Sequence, residues 1–259
     1  MQMLNRKRVS GNAWGLLAAA ALALILTGCG GGGGGGSAAS PPTVGSSGTC
    51  EAGSTDNCGV VLVALTDADG DFVSYSVDVL SVTLQHANGG SVETLPAATR
   101  IDFAQLTEMS DLLSAATLAP GDFVGGTIRL DYSNAEVFVE AGGDIVPAEV
   151  VDANGQPLGI TELEIRLADR DHLVVTRGRT AFLSLDFDLA ASNEVDTTQT
   201  PARVTAQPYI VAEVAPVEEK ELRLRGPLVD VNVAGGTYRI DLRPWHRRDG
   251  NHGRVTVHT

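Results

Sequence analysis

The chain has 259 residues, 43% hydrophobic and 5% aromatic, and its 32 acidic side chains outnumber 18 basic ones for a formal net charge of −14. So acidic a surface excludes nucleic acid, whose phosphates demand a basic face. It also argues against adhesion to anionic membrane surfaces. The length is ample for one sizeable core.

The first residues read as an address label. Arg6-Lys7-Arg8 form a positive segment, residues 14–26 an apolar one, and Leu26-Thr27-Gly28-Cys29 reads as a bacterial lipobox. That is the layout of a secretory signal peptide over residues 1–28, with Cys29 the site of cleavage and lipidation. A transmembrane helix needs about 20 apolar residues, more than this segment offers. A diacyl or triacyl group on Cys29 supplies more than one chain, the condition for stable anchoring. Gly30 stands where inner-membrane lipoproteins resemble one another in carrying Asp, so the expected destination is the outer membrane.

Processing would remove three basic residues and no acidic ones, leaving 15 against 32. Lys220 would be the only lysine left. Two cysteines would remain, Cys50 and Cys58. In an oxidising compartment that short spacing points to a disulfide, worth roughly 2–3 kcal/mol in the chain-entropy view. The other readings are two free thiols or half a metal site, and no nearby Cys or His completes zinc ligation.

Gly30 to Gly36 is an unbroken glycine run, followed by Ser, Ala, Pro and Thr. Residues 29–58 therefore read as a lipidated cysteine and a flexible linker, closed by the cysteine loop. From Gly59 the pattern turns to period two, with turn signals every ten or so positions. Residues 60–66 form an apolar run expected to be a strand buried on both faces. In 72–86, Val73, Tyr75, Val77 and Val79 share one face, and Leu80, Val82 and Leu84 then take over on the other. Such a parity switch is what a β-bulge produces. Asn88-Gly89-Gly90 turns the chain.

Residues 102–116 carry Leu106, Met109, Leu112, Leu113 and Ala116 on one helical stripe, with Asp102 to cap it. Strands are expected again at 123–132, 136–140, 148–152, 160–167, 172–176, 180–189 and 209–214. Eight or nine short strands with one brief helix predict an all-β protein, an antiparallel β-sandwich over residues 59–217. Beyond it the composition turns basic, with eight basic against six acidic residues in 218–259. Strands at 221–225, 228–233, 237–242 and 254–258, with a Gly235-Gly236 turn, make a poor independent core. They read as the front of a second, truncated β-domain, so deletion after Val217 is expected to leave the main domain's melting temperature within a few degrees.

Several blocks carry a family likeness. Val63-Ala64-Leu65-Thr66-Asp67 comes first, then Leu112-Leu113, Leu118-Ala119-Pro120-Gly121-Asp122-Phe123 and Ile128-Arg129-Leu130. Ser184-Leu185-Asp186-Phe187-Asp188-Leu189 with Ser192 closes the series. Over residues 59–214 their order resembles the bacterial lipoprotein domain of unknown function DUF 4382. The sequence departs from the family at Asp69, usually proline, and at Phe123, usually tyrosine. The resemblance implies a transthyretin-like or immunoglobulin-like sandwich on a lipoprotein, and no activity. The tail resembles the opening of another small β-domain often appended to it.

Candidate sites are few. Asp67, Asp69 and Asp71 alternate as in a calcium loop, with Asp78 at the twelfth position, but Phe72 stands where an EF-hand needs glycine. The alternatives are a hairpin turning on Asp69-Gly70 or a calcium site at a sandwich edge. Asp186 and Asp188 are two residues apart on an expected strand, roughly 6.6 Å between Cα atoms. That separation suits an acid/base pair or an ordinary solvated face. Glu162, Glu164 and Arg166 form a similar stripe, and adjacent acidic stripes could make a cation site. In the tail, His246, His252 and His258 recur among Arg243, Arg247, Arg248 and Arg254, at a spacing that matches no zinc motif. Trp245 and His246 beside the Arg pair could cap an acidic surface, or the run is a solvated face.

No motif names a reaction. The reading is a non-enzymatic, lipid-anchored envelope module, ligand-binding or structural, with envelope proteins or glycans as partners. The alternative is a polysaccharide-acting hydrolase using surface carboxylates such as Asp186 and Asp188.

Overall fold

The computed structural model describes residues 50, 57–67, 70–167, 172–216, 220–244 and 249–259. Residues 44–259 belong to one compact unit. The expected signal segment, Cys29, the glycine run expected to be a linker, and Trp245 to Arg248 lie outside the described residues.

The core strand is β1 (Gly59–Thr66). It lies in the middle of a five-stranded sheet, parallel to β10 (Thr180–Asp186) on one side and antiparallel to β5 (Met109–Leu118) on the other. The outer strands of this sheet are β13 (Val211–Glu213) and β14 (Glu221–Arg223). Facing it is a larger, nine-stranded sheet built on β2 (Phe72–His86) and β6 (Gly121–Ala141). Beside them run β3 (Ser91–Glu93), β4 (Thr99–Asp102), β7 (Asp144–Val151), β8 (Ile160–Arg166) and β9 (Leu173–Val175). The set is completed by β11 (Asn193–Asp196) and β12 (Ala202–Ala206). Between the layers lies one apolar core, with Val61, Val63 and Leu65 from β1 meeting Tyr75, Val77, Val82, Ile128 and Leu130. The all-β sandwich is present, but it is mixed and not wholly antiparallel. Three pairs are parallel: β1 with β10, β12 with β7, and β14 with β5.

The parity switch in β2 is a bulge. Val79 pairs with Leu130 and Ser81 with Arg129, so Leu80 is the extra residue, and Tyr75, Val77, Val82 and Leu84 all reach the core. The Asn88-Gly89-Gly90 turn joins β2 to β3, with Gly89 at φ +90° as such a turn requires.

The expected helix over 102–116 is absent. Phe103–Gln105 form a single 3-10 turn, and Met109–Leu118 are strand β5. The reason is burial on both faces. Leu113 and Leu118 point into the sandwich, while Leu112 and Ala115 belong to a second apolar cluster on the other side. A bulge opposite Val63 and Ala64 inserts Leu113 and shifts the parity again. Apolar residues at both parities of a strand imitate the stripe of a helix. Asp102 caps nothing; its carboxylate accepts from the Tyr75 N–H (2.8 Å) and the Ser74 hydroxyl (3.1 Å).

What lies on the outer face of β1 and β5 is the tail. β14 adds to β5 with Arg223 opposite Asp111, and the two side chains form an ion pair at 3.3 Å. Beyond it, β15 (Leu228–Asn232), β16 (Thr237–Asp241) and β17 (Arg254–His258) form a three-stranded antiparallel sheet, turned at Gly235-Gly236. Buried Leu242 and Val255 pack with Ala64, Leu112 and Ala115. His252 is 1% exposed, its Nδ1 lies 3.1 Å from the Leu113 carbonyl, and its own carbonyl accepts from the Ala115 N–H at 2.7 Å. A carbonyl only accepts, so Nδ1 carries the ring proton. Next to it Gly253 holds φ +111°, and a Cβ there would collide with the Ala115 carbonyl. The expected boundary at 217/218 falls on residues outside the described set, and the strands on either side of it belong to the same compact unit.

Candidate functional site: an acidic corner where β1 and β10 end

β1 and β10 run side by side and stop together, with Leu65 opposite Leu185 and Thr66 opposite Asp186. The parallel pairing therefore brings Asp67, Asp186 and Asp188 to one corner, although the sequence separates them by more than a hundred residues. The segment after β1 is not a hairpin. It carries the chain from the five-stranded sheet to β2 in the facing layer, because β1 and β2 do not pair.

Asp67 is fully buried. Its Oδ1 accepts from the Leu189 N–H at 2.8 Å, and its Oδ2 is buried without a hydrogen-bond partner. Burial raises the carboxyl from 3.8 to about 7. The Leu189 N–H and Lys220 pull it down, while Asp186 and Asp188 push it up. Asp71 is exposed, and Asp69 lies outside the described residues. Among the described residues, no three Asp, Glu, His or Cys side chains gather as a metal-binding group.

Lys220 closes the corner from the tail. Its ammonium donates to the Thr66 hydroxyl (2.7 Å), to the Leu106 carbonyl (3.2 Å) and to the Asp67 carbonyl. Leu106 also accepts from the Asp67 N–H at 3.2 Å. One lysine thus joins the end of β1, the loop after the 3-10 turn and the start of the tail.

Asp186 and Asp188 do not share a strand face. β10 ends at Asp186, and Asp188 adopts φ +34° as the cap of a one-turn helix α1 (Leu189–Ser192). Its Oδ1 accepts from the Ala191 N–H (3.0 Å) and its Oδ2 from the Tyr209 hydroxyl (3.0 Å). That acceptor pushes the Tyr209 phenol above its usual range. The Asp188 N–H in turn donates to Asp186 Oδ1 at 3.4 Å. Left-handed backbone at a non-glycine residue costs of order 1–3 kcal/mol and persists where its surroundings fix it. Here the cap and the tyrosine fix it. Phe187 and Leu189, expected opposite the aspartates on one strand, are buried in the core but lie beyond the end of β10, Leu189 in α1.

A depression of about 350 Å³ opens beside the corner, lined by Gly70, Asp71, Phe72, Ala190, Asn193 and Val195. Behind it Tyr75 is fully buried, and its hydroxyl donates to Asn193 Oδ1 at 3.0 Å. Burial holds the phenols of Tyr75 and Tyr132 well above their usual range. Elsewhere, Glu162, Glu164 and Arg166 form the expected exposed stripe along β8, with Arg166 on Glu164 at 2.6 Å. They line a shallow groove of about 520 Å³ floored by Gly125 and Gly126.

The tail histidines do not form a group among the described residues. His252 is buried against β5, His258 is exposed at the end of β17, and His246 is outside the described set. Sequence reasoning missed Leu106, Tyr209 and Lys220 as partners of the aspartates, and Thr66 as the partner of Lys220. The available signal was Lys220 itself, the one lysine after Cys29.

Cys50 and Cys58 are joined by a disulfide, with Cα atoms 6.2 Å apart. No described helix is long and apolar enough to cross a membrane.

The fold and this corner define a β-sandwich domain in which the clustered carboxylates are tied into backbone and hydroxyl hydrogen bonds. Residues 58–201 match the family model described as a domain of unknown function, DUF4382, and the chain belongs to that family. No curated protein and no solved structure matches it.

Proposed function

We propose that the chain is exported, cut before Cys29 and held on the outer membrane by lipid on that residue, where its sandwich serves as a binding or structural module of the envelope. The observation that carries the reading is the Cys50–Cys58 disulfide. It follows, in the sequence, the glycine run that begins after the lipobox cysteine, and disulfides belong to oxidising compartments. The linker holds the module clear of lipid headgroups. Asp188, the best placed acid/base candidate, already spends both carboxylate oxygens on the Ala191 N–H and the Tyr209 hydroxyl, which supports a structural use over hydrolysis.

Labelled palmitate is expected to enter the wild-type protein and not Cys29→Ala. Incorporation that survives the substitution would sink the lipid-anchor reading. Protein isolated without reductant is expected to show no alkylatable thiol at Cys50 or Cys58, and ready alkylation of both would remove the oxidising compartment from the argument.

A further inference from the structure

The three-stranded sheet of the tail ends in an apolar edge. Two rows of side chains cross it on the face turned to the sandwich: Val257, Tyr238 and Val231 in one, Val255, Ile240 and Leu228 in the other. Exposure climbs along each row with distance from β5. Val255 is 8% exposed and Val257, Tyr238 and Ile240 are half-buried, whereas Val231 is 56% and Leu228 59% exposed. All five residues of β15 are exposed, and its outer backbone edge pairs with no described strand. An unpaired, apolar edge is a template for another strand. On the opposite edge strand, β17, the apolar residues of that face, Val255 and Val257, are packed against the sandwich.

We infer that β15 is the pairing edge of a two-fold dimer, antiparallel and centred on Val231. In that register Val231 lies beside its own counterpart, which extends the apolar row, and Asp230 faces the partner's Asn232. No like charges meet, because Asp230 already pairs with Arg239 of its own chain. Charge selects the same place. Residues 29–217 carry 26 acidic against 7 basic side chains, so two copies repel wherever these regions face each other. The tail, with eight basic against six acidic, is where they meet without that cost. A two-fold contact uses the same edge on both copies, so the pairing closes at two and does not propagate.

The test is sedimentation equilibrium of the full chain in density-matched detergent at tens of micromolar, with detergent micelles in excess over protein. The wild type is expected to be dimeric. Val231→Asp and Val231→Lys place like charges across the axis and are each expected to weaken association by at least about tenfold, while an equimolar mixture of the two returns to dimer. Val231 is exposed in the single chain, so both variants are expected to fold, with the melting temperature of wild-type protein diluted until it is monomeric. A monomeric wild type overturns the inference, and slow amide exchange along β15 in that monomer would assign the edge to another segment of the chain. A dimer that is indifferent to both variants, or a mixture that stays monomeric, also overturns it.

Discussion

The Lys220 ammonium lies 2.7 Å from the Thr66 hydroxyl, 154 residues away in the chain, and it is the point at which the tail grips the end of the central strand. Replacing it by Met keeps the stem and removes three donated hydrogen bonds. Losing charge-assisted bonds to part-buried oxygens costs about 2 kcal/mol. Lys220→Met is therefore expected to lower the melting temperature by roughly 4–8 °C, read by calorimetry against the wild type. An unchanged melt would mean that the lysine is solvated.

Asp67 gives that corner a pH dependence. Its folded value, about 7, lies above the unfolded 3.8, so the folded state binds the proton more tightly. Its contribution is fully present below 3.8 and is lost as pH rises through 7. Asp67→Asn cannot ionise, so its stability relative to wild type is expected to climb between pH 4 and pH 8, by about 2–4 kcal/mol. Urea unfolding of both proteins at several pH values measures the difference. A constant offset across that range would show that Asp67 titrates normally.

The tail decides more of the stability than its composition promises. Deletion after Val217 removes Lys220, strand β14 and the buried Leu242 and Val255, and it uncovers Ala64, Leu112 and Ala115. At roughly 1.5–3 kcal/mol per buried apolar side chain, the loss is several kcal/mol. The expectation of an unchanged melt is thus reversed. A drop of about 10 °C or more is anticipated, and a melt within a few degrees of wild type would restore the picture of an independent sandwich.

Asp188 separates structure from chemistry. Asp188→Ala loses the cap on α1 and the acceptor for Tyr209, at a cost of about 1–2 kcal/mol. Asp188→Asn keeps the cap oxygen and tolerates the left-handed backbone, so it should melt close to wild type. If Asn behaves like Ala, the negative charge and not the hydrogen bonding is what the site uses.

Much of the fold was legible because period two is a local property. The bulge at Leu80, the glycine turns after β2 and β15, and the exposed stripe of Glu162, Glu164 and Arg166 all follow from which neighbours are apolar. The reading failed where a strand is covered on both sides. Leu112 and Leu113 are adjacent and both buried, and nothing in a short window distinguishes that from one face of a helix.

The acidic corner lay further out of reach. Asp67 and Asp186 become neighbours only because β1 and β10 pair in parallel, in a register fixed by the core side chains of both strands. By itself the sequence determined the cysteine spacing and the all-β character, since each depends on residues close in the chain. Only the tertiary structure decided that the tail covers β1, that Lys220 reaches Thr66 and that one aspartate is buried with an oxygen unpaired, because these depend on which distant strands share a sheet.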